Sequence, residues 1–259
     1  MARTTPSRSR HVSHHPDIAR TAGLIADPSR ARMLKALSDG RALPAGVLAT
    51  EAGVSPATAS AHLGKLVEAE LVTVERAGRC RYYRLAGPDV SVALEALAVI
   101  APPLPVSSLR ESSRANALRR SRTCYDHLAG RLGVELMGSL ISGGWLTGHD
   151  GTHRPGSSVR DRPAGYGRDL DYRLTDTGRA ALTRFGLDLD RLPARRPLVR
   201  YCVDWSEHRH HLAGAAGAAI TARLFELRWL RHGSSPRVVH VTEEGADGLA
   251  GTFGLTLAD

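Results

Sequence analysis

Val54-Ser55-Pro56-Ala57-Thr58-Ala59-Ser60-Ala61-His62-Leu63-Gly64-Lys65-Leu66-Val67 leads into Leu71-Val72-Thr73-Val74-Glu75-Arg76-Ala77-Gly78-Arg79-Cys80-Arg81-Tyr82-Tyr83-Arg84, and these residues decide the fold. Ser55 can cap the free amides of a helix start, and Pro56 suits the first helical position, where no amide hydrogen is required. Ala59, Leu63, Leu66 and Val67 then share one face at helical spacing, leaving Ala57, Ala61, Gly64 and Lys65 outward. Side chains that small let a helix backbone lie close in a groove. Thr58 and Ser60 on the flanks offer hydroxyls, and Lys65 offers a charge for phosphate. Residues 71–76 and 80–85 read as two strands around Ala77-Gly78-Arg79, a hairpin whose Arg76, Arg79, Arg81 and Arg84 straddle a phosphate backbone. The expected partner is double-stranded DNA, touched by the Ser55-Pro56-Ala57-Thr58 start, by Ser60, Ala61 and Lys65, and by Arg76, Arg79 and Arg81 of the wing.

Upstream, a helix carrying Ile18, Leu24 and Ile25 is followed by Asp27-Pro28, cap and first position of a second helix with Met33, Leu34 and Leu37. Asp39-Gly40 ends it. Residues 44–52 form a short third helix with Val47 and Leu48 inward, and Gly53 supplies the tight turn before the recognition helix. Residues 89–100 return to helical spacing through Val90, Leu94, Leu97 and Ala98.

In Ala26-Asp27-Pro28-Ser29-Arg30, the helix over 55–66 and the wing Gly78-Arg79-Cys80-Arg81-Tyr82-Tyr83-Arg84-Leu85, residues 17–100 resemble the ArsR family of winged-helix transcriptional regulators. The resemblance implies a homodimer paired through the first and last helices of this domain. It also implies a repressor on a pseudo-palindromic operator, released by an inducer, with two half-sites about one DNA turn apart. The chain departs from the family's metal sensors, because Ala42-Leu43-Pro44-Ala45-Gly46-Val47-Leu48 and Asp89-Val90-Ser91-Val92-Ala93-Leu94-Glu95 hold no ligand cluster where those sensors keep theirs. Cys80, among arginines, reads as a strand residue.

At 259 residues and 42% hydrophobic the chain is long enough for two ordinary cores, and its net charge of +9 is almost wholly arginine. No stretch reaches membrane-spanning length and no apolar leader opens the chain, so a cytoplasmic protein is expected. Three widely spaced cysteines argue against a disulfide framework. Residues 1–16 are expected to be a disordered basic tail and 101–122 a linker with a connecting helix, the break marked by Ala101-Pro102-Pro103-Leu104-Pro105.

Beyond that break the chain repeats itself. His127-Leu128-Ala129-Gly130 recurs as His211-Leu212-Ala213-Gly214, and Gly133, Leu140 and Trp145-Leu146 match Gly217, Leu224 and Trp229-Leu230 at the same offset of 84. Each copy (about 123–190 and 200–259) is expected to run as a helix ending at Trp-Leu, a short strand and a Thr-capped helix, with 147–171 a mobile loop. The expected fold class is therefore mainly α (α+β): a winged helix-turn-helix followed by two pseudo-symmetric winged-helix-like repeats. Their Gly- and Ala-rich helices would pack together, and 123–259 would serve sensing or dimerisation rather than DNA reading.

The chemistry of this half lies in Cys124-Tyr125-Asp126-His127 and in Cys202-Val203-Asp204-Trp205 with His208, His210 and His211. Cys124 and His127 stand one helical turn apart. A two-fold relation between the copies would bring Cys124, His127, Cys202 and His211 into one soft site for zinc, cadmium, lead or copper, with Asp126 and Asp204 as ligands or histidine orienters. Packing alone, or a small organic inducer between walls of Trp145, Trp205 and Trp229, stands beside that reading. Cys124 lacks the third orienting group of a catalytic thiol, so an enzyme is not expected. The rival function is a metal- or small-ligand-binding protein whose winged helix serves assembly rather than DNA binding.

Overall fold

A computed structural model of the chain describes residues 15–105, 108–154 and 172–256. Most of the expected basic tail and most of the loop expected over 147–171 lie outside the described residues. Two hydrophobic cores organise what is described, one built by residues 33–85 and one by residues 128–255.

The first core follows its local signals closely. Asp17 and Asp27 cap α1 (Ile18–Ile25) and α2 (Pro28–Leu37), each carboxylate accepting an amide hydrogen three residues on at 2.9 Å. A two-residue strand, β1 (Leu43–Pro44), precedes α3 (Ala45–Ala52), which Gly53 closes at φ +69°. Leu48, Ala49 and Ala52 face inward from α3, whereas Val47 is 38% exposed. The expectation that Val47 points inward is thus corrected, since the buried stripe runs through Ala49 on its other side. Ser55 caps α4 (Pro56–Glu68), whose Ala59, Leu63 and Leu66 pack on Met33, Leu34 and Leu37. The wing strands are β2 (Val72–Ala77) and β3 (Cys80–Leu85), and β1 adds to β3 in the order β1-β3-β2. Then come α5 (Pro88–Ile100) and α6 (Leu109–Arg120).

The second half runs β4 (Arg122–Cys124), β5 (His127–Ala129), α7 (Arg131–Ser142), β6 (Leu146–Thr147), β7 (Arg173–Leu174) and α8 (Asp176–Arg184). The same order of elements follows in β8 (Arg200–Val203), β9 (His210–Ala213), α9 (Gly214–Glu226), β10 (Leu230–His232), β11 (Val239–Val241) and α10 (Glu243–Phe253). The four strand pairs among the described residues of this half are antiparallel.

Three expectations change. Cys124 and His127 are not a turn apart on a helix; they face each other across the β4–β5 hairpin, since an i, i+3 spacing also closes a two-residue turn. The helices α7 and α9 end at Ser142 and Glu226, before Trp145 and Trp229, whose following leucines open β6 and β10. The small-residue faces of those helices meet hairpins rather than each other, α7 lying on β9 and α9 on β5. A Cβ on Gly133 would lie 2.5 Å from Leu128 O and 3.5 Å from His211 Cβ, and one on Gly217 would lie 2.7 Å from Leu212 O and 3.4 Å from His127 Cβ. These two glycines are what let each helix sit on both hairpins. Thr175 and Thr242 cap α8 and α10 as expected.

Candidate functional site

The surface expected to meet DNA is formed by α4 and the wing. Ser55 Oγ accepts from Thr58 N at 3.2 Å and lies 2.9 Å from Thr58 Oγ1, so the helix start is fixed while Pro56, Ala57, Thr58, Ala61 and Lys65 stay exposed. In the hairpin, Arg76 stands opposite Arg81 and Gly78 turns the chain at φ +60°. Arg81 reaches back to donate to Ser60 Oγ at 3.5 Å, tying wing to helix. Arg76 and Arg79 are exposed, but Arg84 is engaged with Glu75 at 3.2 Å. Sequence reading missed Arg30. Nearly buried on α2, it donates to Leu24 O (2.6 Å) and Gly23 O (3.1 Å) and lies 3.4 Å from His62 Nδ1 on the inner flank of α4.

The two hairpins β4–β5 and β8–β9 lie side by side through β5 and β9, and each pairs a cysteine with a histidine across its strands: Cys124 with His127, Cys202 with His211. Eight residues separate Cys202 from His211 where two separate Cys124 from His127, so the equivalence is one of hairpin position and not of spacing. The donor atoms of all four lie within 4.8 Å of one another, with Cys124, His127 and His211 buried. The imidazole centroids are 5.2 Å apart. Neither Nε2 has a hydrogen-bonding nitrogen or oxygen among the described residues. The Nδ1 atoms face carboxylates instead: His127 Nδ1 lies 3.3 Å from Asp126 Oδ1, and His211 Nδ1 lies 3.3 Å from Asp204 Oδ2, the latter an ion-pair distance without hydrogen-bond alignment. With a carboxylate beside each Nδ1, each Nε2 is the nitrogen left unengaged, the arrangement in which an imidazole can ligate a metal.

The thiol of Cys124 is pushed up to about 12 by its hydrogen bond with Cys202 and by burial. Burial opposes a charged His127, but Cys124 and Asp126 outweigh it and raise that imidazole to about 9. His211 is likewise raised against burial, by Asp204 and Cys124. Asp204 is held far below the usual carboxylate range despite burial, through His211, Arg122 and Ser206. The centre thus carries protons that a thiophilic cation would displace.

Around it lies a buried charge network of which the sequence suggests only Asp126 and Asp204, as ligands or histidine orienters. Asp204, fully buried, accepts from Arg122 Nη2 (2.9 Å), Gly130 N (2.7 Å), Ser206 N (2.9 Å), Ser206 Oγ (2.7 Å) and Glu207 N (3.2 Å). Arg122, also fully buried, stacks on the Trp205 ring at 4.3 Å and lies 3.9 Å from Glu95 of α5. Arg196 grips Asp126 with both terminal nitrogens. Among the other members, Glu95 is the legible one, an acid midway along a helix whose remaining charge, Asp89, sits in the first turn. His208 is exposed and outside the centre, while His210 is buried against Tyr172 and Tyr201. The tryptophans do not wall one cavity: Trp145 packs on Phe253, Trp229 on Phe185, and Trp205 on Arg122. No helix among the described residues is long and apolar enough to cross a membrane.

Residues 25–75 match the family described as a helix-turn-helix domain. Across 232 residues the chain is 40% identical to YdfF, an uncharacterized HTH-type transcriptional regulator of Bacillus subtilis (strain 168), covering 89% of this chain and 94% of that one. Among solved structures, the homodimeric winged helix-turn-helix DNA-binding domain of Mb0332 from Mycobacterium bovis, a possible ArsR-family regulator, is 30% identical over 34% of this chain and 89% of its own, with a TM-score of 0.30. The cadmium metal-sensor CMTR from Mycobacterium tuberculosis is 33% identical over 35% of this chain and 94% of its own, also at 0.30. Structural likeness at that level adds nothing to the assignment, which rests on the sequence relative.

Proposed function

Because this chain belongs to the helix-turn-helix transcriptional regulators, we propose that it is a homodimeric operator-binding repressor of the ArsR type, released by a divalent thiophilic metal ion held by Cys124, His127, Cys202 and His211. The observation that carries this reading is the convergence of two cysteine–histidine pairs from separate hairpins, with both Nε2 atoms lacking any nitrogen or oxygen partner among the described residues. Two thiolates and two neutral imidazoles balance a divalent charge in a dry site and match the tetrahedral sulfur–nitrogen set of zinc or cadmium; monovalent copper would leave a buried negative charge.

Dimerisation is supported by α1, which is amphipathic yet buries none of its residues, and by Ile18, Leu97 and Ile100, left exposed on α1 and α5. A second copy covering those helices would set the two α4 helices one DNA turn apart. Such a protein works in the cytoplasm with its DNA, and its kinship is with regulators rather than enzymes.

The test begins with DNA fragments selected by the protein from the genome it regulates. Binding is then measured by anisotropy across a salt series, with and without zinc or cadmium. Lys65→Ala and Arg79→Ala should each lower the salt slope by roughly one and weaken binding. Metal should weaken wild-type binding and leave Cys124→Ser and Cys202→Ser unaffected. Salt-independent affinity would remove the DNA reading. Equal metal content in wild type and both serine variants would remove the metal centre, and bound metal without any effect on DNA affinity would make it a structural staple.

A further inference from the structure

A tetrahedral ion with sulfur and nitrogen ligands sets donor-to-donor separations of about 3.3–3.8 Å. The four donors here lie within 4.8 Å of one another, so an ion held by all four shortens these separations by at most about 1.5 Å and ties the two hairpins to each other. Among the contacts that join the hairpins to the DNA-binding half, which include Lys35 of α2 over the Trp205 ring at 5.6 Å, two are hydrogen-bonded or ionic.

The first is the turn between two of the ligands. Tyr125, at φ +58°, donates its N–H to Ser38 O at 2.6 Å, just past the end of α2. Its ring edge lies where a Cβ on Gly40 would be only 3.4 Å away, so the ring is seated on that turn. From there α2 leads directly to the recognition helix, because Met33, Leu34 and Leu37 pack with Leu63 and Leu66.

The second is a run of buried charges. His211 faces Asp204, Asp204 accepts from Arg122, and Arg122 lies 3.9 Å from Glu95 Oε2. That oxygen has no hydrogen-bond partner among the described residues, while Oε1 accepts from Arg237 Nη2 at 2.5 Å. Arg237 is itself locked to the metal hairpin, donating to Thr123 O at 3.0 Å and accepting from Thr123 N at 2.9 Å. Glu95 of α5 is therefore held by Arg237 beside β4 and by Arg122 of β4, which binds Asp204 of the β8–β9 loop and so brings in the second hairpin. A carboxylate costs too much to bury unless its partners stay in place, so it follows them when they move.

We propose, resting on the metal-responsive reading above, that Glu95 and Tyr125 are the coupling residues of the switch: closure of the hairpins on a divalent metal is carried by Tyr125 to the end of α2 and by Glu95 to α5. Occupancy thereby changes how the reading helices are set in the dimer. The two joints act on the two ends of one winged helix, so a small shift at the centre becomes a rotation of α4.

The test uses the full-length protein with zinc or cadmium as probe. Metal stoichiometry and affinity are read by titration, and DNA affinity by anisotropy with and without metal. Wild type should show a metal-dependent change of 5–150-fold, the usual range for coupled sites. Glu95→Gln keeps the shape and an acceptor but loses the charge; it should bind the same number of metal ions while the DNA effect falls below about 3-fold. Tyr125→Gly keeps the backbone N–H and removes the ring, and should lose part of the effect. Hydrogen exchange on wild type gives a reading that does not depend on either variant folding: metal should change protection at 38–40 and along α5. Full metal response in Glu95→Gln and Tyr125→Gly, or exchange confined to the hairpins, overturns the relay while leaving the metal switch intact. A wild type that binds no metal, or whose DNA affinity ignores it, removes the reading beneath the relay.

Discussion

Replacing Asp204 by asparagine tests the buried network most directly. Besides the ion pair with His211, Asp204 accepts five hydrogen bonds among the described residues, two on Oδ2 (Arg122 Nη2 and Gly130 N) and three on Oδ1 (Ser206 N, Ser206 Oγ and Glu207 N). Asparagine brings an NH2 that must face one of these sets whichever way it turns, and its neutrality leaves Arg122, which is 0% exposed, without its closest counter-charge. Breaking a buried ion pair from one side costs about 3–5 kcal/mol. With a urea slope of ~3 kcal/mol/M, the midpoint should fall by about 1–2 M. The three tryptophans, Trp145, Trp205 and Trp229, all lie in the second half, so fluorescence reads the melting of that core separately from the winged helix. Adding Arg122→Met to Asp204→Asn should recover part of the loss, because the stranded charge is then gone. A midpoint shift below about 0.3 M, or a double variant as unstable as the two single losses summed, would refute the assignment of Asp204 as the charge anchor of this half.

Three further outcomes follow from individual contacts. Ser55→Ala removes the acceptor for Thr58 N and should cost the winged helix about 1 kcal/mol, read by thermal melting followed by far-ultraviolet dichroism, with weaker DNA binding alongside. Gly217→Ala places a methyl 2.7 Å from a backbone carbonyl and against His127 Cβ, so it should destabilise the second core by about 1–3 kcal/mol and raise the dissociation constant for cadmium, measured by competition with a chelator. Burial pushes the Glu95 carboxyl up, but Arg237 and Arg122 outweigh it and hold it below the usual range. Its contribution is therefore complete above the unfolded value of about 4.3 and is lost as pH falls through the lower folded value. The melting-temperature gap between wild type and Glu95→Gln should accordingly be constant above about pH 5 and close in acid; a gap independent of pH would count against the buried charge.

What the sequence determined by itself is the part of the protein built from neighbours in the chain. Asp27-Pro28, Ser55-Pro56, Gly53 and Gly78 act on amides and dihedrals within three or four residues of themselves, so the caps, the recognition helix and the wing were all legible. The recurrence of His-Leu-Ala-Gly marks His127 and His211 as equivalent positions, and the structure brings them together with Cys124 and Cys202. Local signals failed where one spacing serves two structures: Cys124 and His127 suit a helical turn and a tight hairpin equally, and the hairpin was set by β5 lying along β9. Val47 failed for a related reason, since the inward side of a two-turn helix depends on what packs beneath it. Only the tertiary structure decided that Glu95 meets Arg237, 142 positions away, and that Tyr125 rests on the end of α2. Charges are buried only where the completed fold supplies their partners, and nothing within a few residues of Glu95 or Arg122 announces them. The reading helix and the four donors were written locally, whereas the connection between them exists only once both cores have formed and met.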